Sequence, residues 1–302
     1  MPFAVRPLST TVGAEVSDIN LNSDLTPTDL DHLYAALAEH KVLFFRNQKL
    51  SAPAQAAFGA AFGILEPPHP IYPHVEGTPE VTVLETSHER PADSNEWHTD
   101  LTWRPRPPFA SVLYCVARPH IGGDTLWSDM CSAYEALPEA IKALVANLRC
   151  VHDLASFRNE YTVGEKDGRA TKLEANQTKF SSTIWPMVMT HPANGRKFLY
   201  CNPGFVNQVV GMRSQESRRL LAYLWDHMSS PDFQVRFQWE VGSVAIWDNR
   251  CTMHYGPCEF SGGKRIMHRV TIANDRRASS TSCASHACST SRCSTAGIQA
   301  KL

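Results

Sequence analysis

The chain has no apolar stretch that approaches the ~20 residues needed to cross a bilayer as a helix. Its first residues, MPFAVRPLST, also lack the apolar core of a secretory signal. These absences argue against an integral membrane protein and against export. We therefore expect a cytoplasmic protein.

An excess of charge is also missing, because the 302 residues carry a formal net charge of -1. Without a basic or acidic field, the chain has no general attraction to nucleic acid or to an anionic membrane. Hydrophobic residues make up 43% of the sequence and charged residues 20%, so a sizeable core can be buried. We expect a small-molecule partner, and neither a nucleic-acid nor a membrane partner.

The cysteines lack the close C-x-x-C pairing of zinc sites. Most are scattered through the body of the chain and are typical of reduced, buried thiols. Cys283, Cys288 and Cys293 lie beside His286 in a segment made almost entirely of Ser, Thr, Ala and Cys. Their spacing leaves a small metal site open, but such a segment has no apolar period with which to pack. We expect a body over residues 1–278 and a disordered tail over 279–302.

Short strands separated by turns dominate the hydrophobic pattern, and strands do not alternate regularly with helices. Helical spacing is found after Thr26 up to Leu37, over residues 52–62 and over residues 220–228. Strands are predicted over residues 42–46, 81–85, 109–117, 124–128, 233–239, 243–249 and 265–273. This pattern favours a mainly β sandwich or barrel over a doubly wound sheet.

His98, Asp100 and His254 form a candidate metal site. His98 and Asp100 lie in NEWHTDLTW, and residues two apart in an extended segment point to the same face. His254 directly follows a predicted core strand and completes a set of two imidazoles and one carboxylate, which suits iron(II) and leaves coordination positions open. An H-x-D pair alone is a weak signal. Other histidines are expected to be surface or capping residues: His120, His152, His191 and His227.

An iron with open positions needs a co-substrate that binds through two atoms, and 2-oxoglutarate meets this requirement. Its distal carboxylate needs a cation, and an Arg guanidinium binds a carboxylate through two parallel N–H groups. Arg265 and Arg269 share one face of the predicted strand 265–273, so both side chains can enter one cavity. Two buried guanidinium groups require anions, and two different anions would satisfy them.

With these residues, the chain resembles the TauD/TfdA family of iron(II)- and 2-oxoglutarate-dependent dioxygenases, most closely its taurine-cleaving members. The likeness spans roughly residues 3–275. It rests on HPIYPHVEG (69–77), WHTDLTW (97–103), GGDTLW (122–127), FQVRFQW (233–239), AIWDNRCTMHY (245–255) and RIMHRVTI (265–272). The resemblance implies a double-stranded β-helix, or jelly roll, with flanking helices. It also implies Fe(II), 2-oxoglutarate and O2 as metal, co-substrate and oxidant.

The resemblance implies roles for matching residues around the metal. His98, Asp100 and His254 match the iron ligands of the family. Thr125 and Arg265 match the pair that binds the distal carboxylate of 2-oxoglutarate.

The substrate side of the site is implied in the same way. His69 and Arg269 match the residues that hold the substrate sulfonate, and His69 can donate to an anion near neutral pH. The backbone N–H of Leu101 is a further candidate donor. The candidate pocket walls are Tyr72, Phe157 and Phe205.

The implied reaction hydroxylates the carbon next to the sulfonate of taurine or a related alkylsulfonate, and releases sulfite, an aldehyde, succinate and CO2. At one position the chain departs from the taurine-cleaving members, because Ser94 replaces an Asn near the substrate amine. An alkyl-sulfate or phenoxyacetate dioxygenase on the same scaffold is therefore an alternative. A non-catalytic jelly roll that binds a metal or small anion is another. We also expect a homo-oligomer, and a loop over residues 66–95 that closes on the site.

Overall fold

The computed structural model describes residues 3–69, 72–87, 96–154, 182–257 and 260–277. The strands are β1 Ala4–Pro7, β2 Ala14–Ser17, β3 Val42–Phe45, β4 His74–Val75, β5 Thr78–Thr86, β6 Ala110–Ala117, β7 Ile121–Gly122, β8 Thr125–Asp129, β9 Arg149–His152, β10 Thr183–Pro186, β11 Val188–Thr190, β12 Lys197–Leu199, β13 Val206–Val209, β14 Gln234–Phe237, β15 Val244–Asp248, β16 Thr252–Tyr255, β17 Phe260–Ser261 and β18 Arg265–Ile272. The helices are α1 Pro27–His40, α2 Ala52–Phe62, α3 Met130–Ala136, α4 Glu139–Val145 and α5 Ser214–Met228, with a 3-10 turn at Pro231–Phe233.

Two sheets form the centre of the fold. The larger has the strand order β1-β2-β3-β15-β6-β18-β5-β4, and the smaller has the order β14-β8-β16. Aromatic residues from both sheets pack together between them, including Phe44 of β3, Trp247 of β15, Trp127 of β8 and Phe237 of β14. The predicted mainly β sandwich is confirmed, and the metal candidates lie where these two sheets meet.

Strand β3 has the continuous apolar sequence VLFF, and its position in the larger sheet explains this. Side chains alternate along a strand, so Val42 and Phe44 face the smaller sheet while Leu43 and Phe45 face the other way. That second face is covered by α1 and α2, which contribute Leu33, Leu37, Phe58 and Phe62 among other residues. Both faces of the strand are therefore buried.

Helix α1 begins where the sequence predicts. The Thr26 side chain accepts a hydrogen bond from the Asp29 N–H (3.2 Å), and the Asp29 carboxylate accepts one from the Thr26 N–H (3.0 Å). This reciprocal pair satisfies two N–H groups that the helix itself leaves unpaired. The predicted helices over 52–62 and 220–228 are confirmed as α2 and as the second half of α5.

The expected loop over residues 66–95 is wrong in its central part. Residues Thr78–Thr86 form β5, which pairs with β18 and lies inside the larger sheet. Val81 is fully buried in the core, so this stretch is held by packing and by ladder hydrogen bonds. The tail expected over 279–302 and the boundary at 278 lie outside the described residues, and both stay predictions. No helix among the described residues is long and apolar enough to cross a membrane.

Candidate metal centre and neighbouring anion sites

The structure brings His98, Asp100 and His254 together. His98 and His254 exchange backbone hydrogen bonds as an isolated antiparallel bridge, with N···O distances of 3.0 and 2.8 Å. The Asp100 Oδ1 atom lies 3.8 Å from His98 Nε2 and 3.7 Å from His254 Nε2. One ligand atom from each of the three residues lies within 4.8 Å of the others, a separation that one bound cation can span.

The convergence does not arise from one extended strand, as the sequence spacing suggested. Only His98 pairs as a strand residue, and Asp100 already lies in a turn. Leu101 has a φ of 56°, in the left-handed region that non-glycine residues seldom adopt. The turn therefore redirects the chain directly after the carboxylate.

The charge states of the three residues suit a divalent metal. Burial lowers the pKa of His98, and it lowers the pKa of His254 to about 3, so both imidazoles are neutral. Burial alone would raise the pKa of Asp100, but neighbouring Arg269 and the two histidines lower it to about 2. Neutral imidazole nitrogens and an ionised carboxylate are the donors that iron(II) accepts.

Hydrogen bonding also orients the first imidazole toward the centre. His98 Nδ1 lies 2.8 Å from the Glu96 carbonyl oxygen, which can only accept, so Nδ1 carries the proton and Nε2 presents its lone pair. His254 Nδ1 is buried without a hydrogen-bond partner among the described residues. The donor set therefore fits a metal bound through both Nε2 atoms and Asp100.

Arg265 and Thr125 form a separate cationic site. Arg265 donates from Nε to the Gly123 carbonyl (2.9 Å) and from Nη2 to Thr125 Oγ1 (3.2 Å). Trp239 Nε1 also donates to Thr125 Oγ1 at 3.0 Å, which leaves the hydroxyl proton free to be donated elsewhere. Burial lowers the pKa of Arg265 to about 10, and it forms no ion pair within the described part of the chain. A partly buried cation in this situation favours an anionic ligand.

Arg269 lies on the metal side of the same strand. Its Nη1 atom is 3.5 Å from Asp100 Oδ1, and its buried Nε has no hydrogen-bond partner among the described residues. The two arginines therefore bind different residues: Arg265 donates to Thr125, and Arg269 donates to Asp100. The expectation of two distinct anion sites is consistent with this geometry.

His69 lies near Arg269 and is neutral. Its Nδ1 accepts a hydrogen bond from the Tyr72 N–H at 3.3 Å, so Nε2 carries the proton and can donate. Burial, followed by the charges of Arg269 and Arg104, lowers the pKa of His69 to about 3. The sequence allowed a protonated His69, whereas burial and the two neighbouring arginines favour the neutral imidazole by lowering its pKa.

A small cleft, open to solvent, lies beside His69. Leu101, Thr82 and Glu80 line it, together with an ion pair in which Arg104 Nη1 lies 2.9 Å from Glu66 Oε2. Sequence patterns do not indicate this ion pair, because its members are far apart in the chain and neither lies in a recognisable motif.

Three aromatic residues were expected to form pocket walls. The Phe205 ring is edge-on to the His98 ring at 6.4 Å, and the Tyr72 ring lies 4.7 Å from the His69 ring. Phe157 lies outside the described residues. The described walls therefore adjoin two different parts of the site, the metal ligand and the cleft.

Two histidines that we expected to be surface or capping residues are buried, although His191 Nδ1 does accept a hydrogen bond from the nearby Ala193 N–H at 3.3 Å. His152 contacts Thr102 Oγ1 at 2.9 Å, and His191 Nε2 lies 2.9 Å from Asp248 Oδ2. The surface expectation was wrong because a long-range partner binds one nitrogen of each ring, Thr102 for His152 and Asp248 for His191, and spacing along the sequence does not show such partners. His191, Asp248 and Cys251 could also hold a metal by distance alone, but Arg250 already contacts both carboxylate oxygens of Asp248. This second cluster is therefore an internal ion-pair network.

A site in which two imidazoles and one carboxylate converge is typical of non-haem iron(II) oxygenases. The family model "Taurine catabolism dioxygenase TauD, TfdA family" matches residues 4–271, and the chain belongs to this family. It is a 2-oxoglutarate-dependent dioxygenase with a jelly-roll fold. The family implies 2-oxoglutarate, O2 and iron.

Relatives that act on different sulfur compounds are about equally similar to the chain. An alpha-ketoglutarate-dependent sulfate ester dioxygenase of Pseudomonas putida is 37% identical, over 90% of this chain and 89% of that protein. An alkylsulfatase of Acinetobacter baylyi is 36% identical, over 90% and 85%. The crystal structure of a taurine dioxygenase from Burkholderia xenovorans matches with a TM-score of 0.76 and 37% identity, covering 91% of this chain and 90% of that one.

Proposed function

We propose that the enzyme oxidises a small organosulfur anion with a terminal –SO3⁻ group, at the carbon bonded to the sulfur of a sulfonate or to the ester oxygen of a sulfate ester. The substrate is an alkylsulfonate, such as taurine, or an alkyl sulfate ester. The buried Arg269 guanidinium carries this proposal, because its Nε has no partner among the described residues and it lies beside the metal candidates. A substrate anion would supply the missing acceptor.

In this proposal His98, Asp100 and His254 hold Fe(II), and the bound iron supplies activation of O2 with 2-oxoglutarate as the reductant. Thr125 donates its hydroxyl proton to the distal carboxylate of 2-oxoglutarate, and Arg265 supplies the opposite charge. The two anchors fix the co-substrate in one orientation toward the centre.

Arg269 and His69 would hold the substrate anion. Their N–H groups are suited to a tetrahedral group with three terminal oxygens, whereas a carboxylate offers two oxygens in one plane. Binding there would place the adjacent carbon toward the metal, and the nearby Phe205 would help to exclude water. A bound anion would also stabilise the His69 imidazole as a donor.

The products distinguish the two substrate types. Hydroxylation next to a sulfonate breaks the C–S bond of the unstable product and releases an aldehyde and sulfite. Hydroxylation at the C–O–S carbon of a sulfate ester breaks the C–O bond and releases an aldehyde and sulfate. In both cases 2-oxoglutarate becomes succinate and CO2. The two relatives named for sulfate chemistry, at 37% and 36% identity, support the ester as a full alternative to the sulfonate.

The experiment is a comparison of kcat/KM for taurine, propanesulfonate, propyl sulfate, β-alanine and phenoxyacetate. Succinate is measured for every compound, and sulfite and sulfate are measured separately. We expect a compound with –SO3⁻ to exceed its matched carboxylate by about tenfold or more, because a charge-assisted hydrogen bond contributes about 1.5–3 kcal/mol. A carboxylate as the best substrate would refute the assignment of Arg269 and His69 while leaving the iron and 2-oxoglutarate assignments intact. No succinate with any of these compounds would refute the proposed substrate class.

A further inference from the structure

The three proposed metal ligands lie on two segments that contact each other side by side. His98 and Asp100 belong to residues 96–101, and His254 belongs to β16, which follows β15 after a turn at residues 249–251. Backbone hydrogen bonds join the segments only at the His98–His254 bridge. Beyond the bridge, toward Asp100, the turn at Leu101 carries the backbone away from strand geometry.

Side chains replace the missing backbone pairing at this point. Asn249 Oδ1 accepts a hydrogen bond from the Asp100 N–H at 2.9 Å, and Asn249 Nδ2 donates to the Asp100 carbonyl at 3.0 Å. Nδ2 also donates to the Pro108 carbonyl at 3.2 Å. Thr99 Oγ1 donates to the Thr252 carbonyl at 2.9 Å. Thr99 and Asn249 together are called the ligand clamp.

Both side chains of the clamp are buried, so water cannot replace their hydrogen-bond partners. Asn249 is 1% exposed and Thr99 is 3% exposed. Without Asn249, the N–H and carbonyl of Asp100 would be left unpaired inside the protein, which is costly for buried backbone groups. The Asp100 peptide would have to move to find water or another partner.

Asn249 is itself held on both sides. Its own N–H donates to the Phe109 carbonyl at 2.9 Å. The preceding residue, Asp248, is fixed by His191 at 2.9 Å and by the Arg250 guanidinium. The carboxamide therefore approaches Asp100 from a rigid position, as a group that orients a metal ligand must.

We propose that Asn249 and Thr99 are positioning residues that set the Asp100 carboxylate against the two imidazoles. They touch neither metal nor substrate in this account and act through the backbone of the ligand segments. The inference depends on the proposed metal site at His98, Asp100 and His254.

The test measures Co(II) binding to metal-stripped protein, by the visible absorption of the bound ion and by the Co(II)-dependent rise in melting temperature. We expect Asn249→Ala to raise the Co(II) Kd by about 10–100-fold, the usual cost of losing a group that orients a ligand. Thr99→Val, which keeps the side-chain volume, should raise it less but in the same direction. Both variants should also alter the absorption spectrum of bound Co(II), because Asp100 is displaced.

Gln48 provides a matched control. Its carboxamide is also buried, accepts from the Leu21 N–H, and donates to the Ile19 and Arg46 carbonyls, so it has the same hydrogen-bond pattern away from the metal ligands. Gln48→Ala should lower the melting temperature of the stripped protein as Asn249→Ala does, and leave the Co(II) Kd and spectrum unchanged.

Different results would refute the positioning role of the ligand clamp and the proposed metal site. An unchanged Kd and spectrum in Asn249→Ala would overturn the positioning role. If that variant does not fold, Thr99→Val decides alone, and an unchanged Kd and spectrum there overturns the inference. If His98→Ala binds Co(II) with the same Kd as the wild type, the proposed metal site itself is refuted.

Discussion

Asp100 is the only carboxylate in the candidate metal centre, and its backbone and side chain have separate partners. The backbone is held by Asn249, while the carboxylate faces His98, His254 and Arg269. We expect Asp100→Ala to lose iron retention and succinate formation while it keeps the fold, because the Asn249 hydrogen bonds do not involve the removed atoms. Iron content after desalting, succinate formation and the melting temperature of the stripped protein test this. Retained iron with normal turnover would show that Asp100 is not a ligand.

Substitution of Arg265 tests the proposed anchor of 2-oxoglutarate. Removing its guanidinium leaves the distal carboxylate of 2-oxoglutarate without a partner of opposite charge. Loss of about 1.5–3 kcal/mol corresponds to about a 10- to 150-fold rise in the KM for 2-oxoglutarate. Arg265→Ala should change the KM for the sulfur substrate less than the KM for 2-oxoglutarate. Arg269→Ala should change the KM for the sulfur substrate more. The reverse pattern would mean that the two arginines exchange roles.

Apolar patterns predicted individual strands and helices well where the residues of that one element are enough to indicate which of its faces are buried. The run at 42–45 is a strand buried on both faces, and Thr26 caps α1 as its spacing with Asp29 indicates. Contacts between distant segments were not predictable in this way. Asn249 belongs to a recognised motif, yet its bond to Asp100 joins residues 149 positions apart. The left-handed conformation of Leu101 was not predictable either, because no Gly or Asn at that position indicates it.

The segment around Gly204 gives a prediction about such a contact. A Cβ added at Gly204 would lie 2.8 Å from the His98 Cβ, closer than real Cβ atoms approach. We expect Gly204→Ala to push His98 away from the centre, and to reduce Co(II) affinity and succinate formation more than it reduces the melting temperature. Gly256→Ala is the control, because nothing lies within 4 Å of a Cβ built there. Equal effects of the two substitutions on Co(II) affinity would contradict this packing argument.

For the whole molecule, buried neutral histidines predict sensitivity to mild acid. Burial lowers the pKa of His152 to about 4 in the folded chain, whereas an unfolded His titrates near 6.5. The unfolded chain therefore binds the extra proton first, so the free energy of unfolding falls as pH drops from about 6.5 toward 4, by up to about 1.4 kcal/mol per pH unit for each such group. Above about pH 6.5 this contribution is constant.

Urea unfolding of the metal-stripped protein measures this slope. Between about pH 6.5 and 5, we expect the free energy of unfolding of His152→Gln to fall less steeply than that of the wild type, because one titrating group is removed. This difference in slope does not depend on how much the substitution changes stability at neutral pH. This window lies above the usual range of carboxyl titration, so the lowered pKa values of Asp100 and Asp248 do not enter. An unaltered slope would show that His152 titrates normally in the folded chain.

In the proposed function, oxidation of 2-oxoglutarate is coupled to cleavage of an organosulfur anion bound at Arg269. The most direct measurement is the ratio of succinate to released sulfite or sulfate, with the best –SO3⁻ substrate, for the wild type and for Arg269→Ala. We predict equal amounts of succinate and sulfur anion in the wild type. In Arg269→Ala, sulfur release should fall below succinate formation, because the substrate is no longer held against the centre. Succinate without sulfur release in the wild type, or an unchanged ratio in Arg269→Ala, would contradict the account.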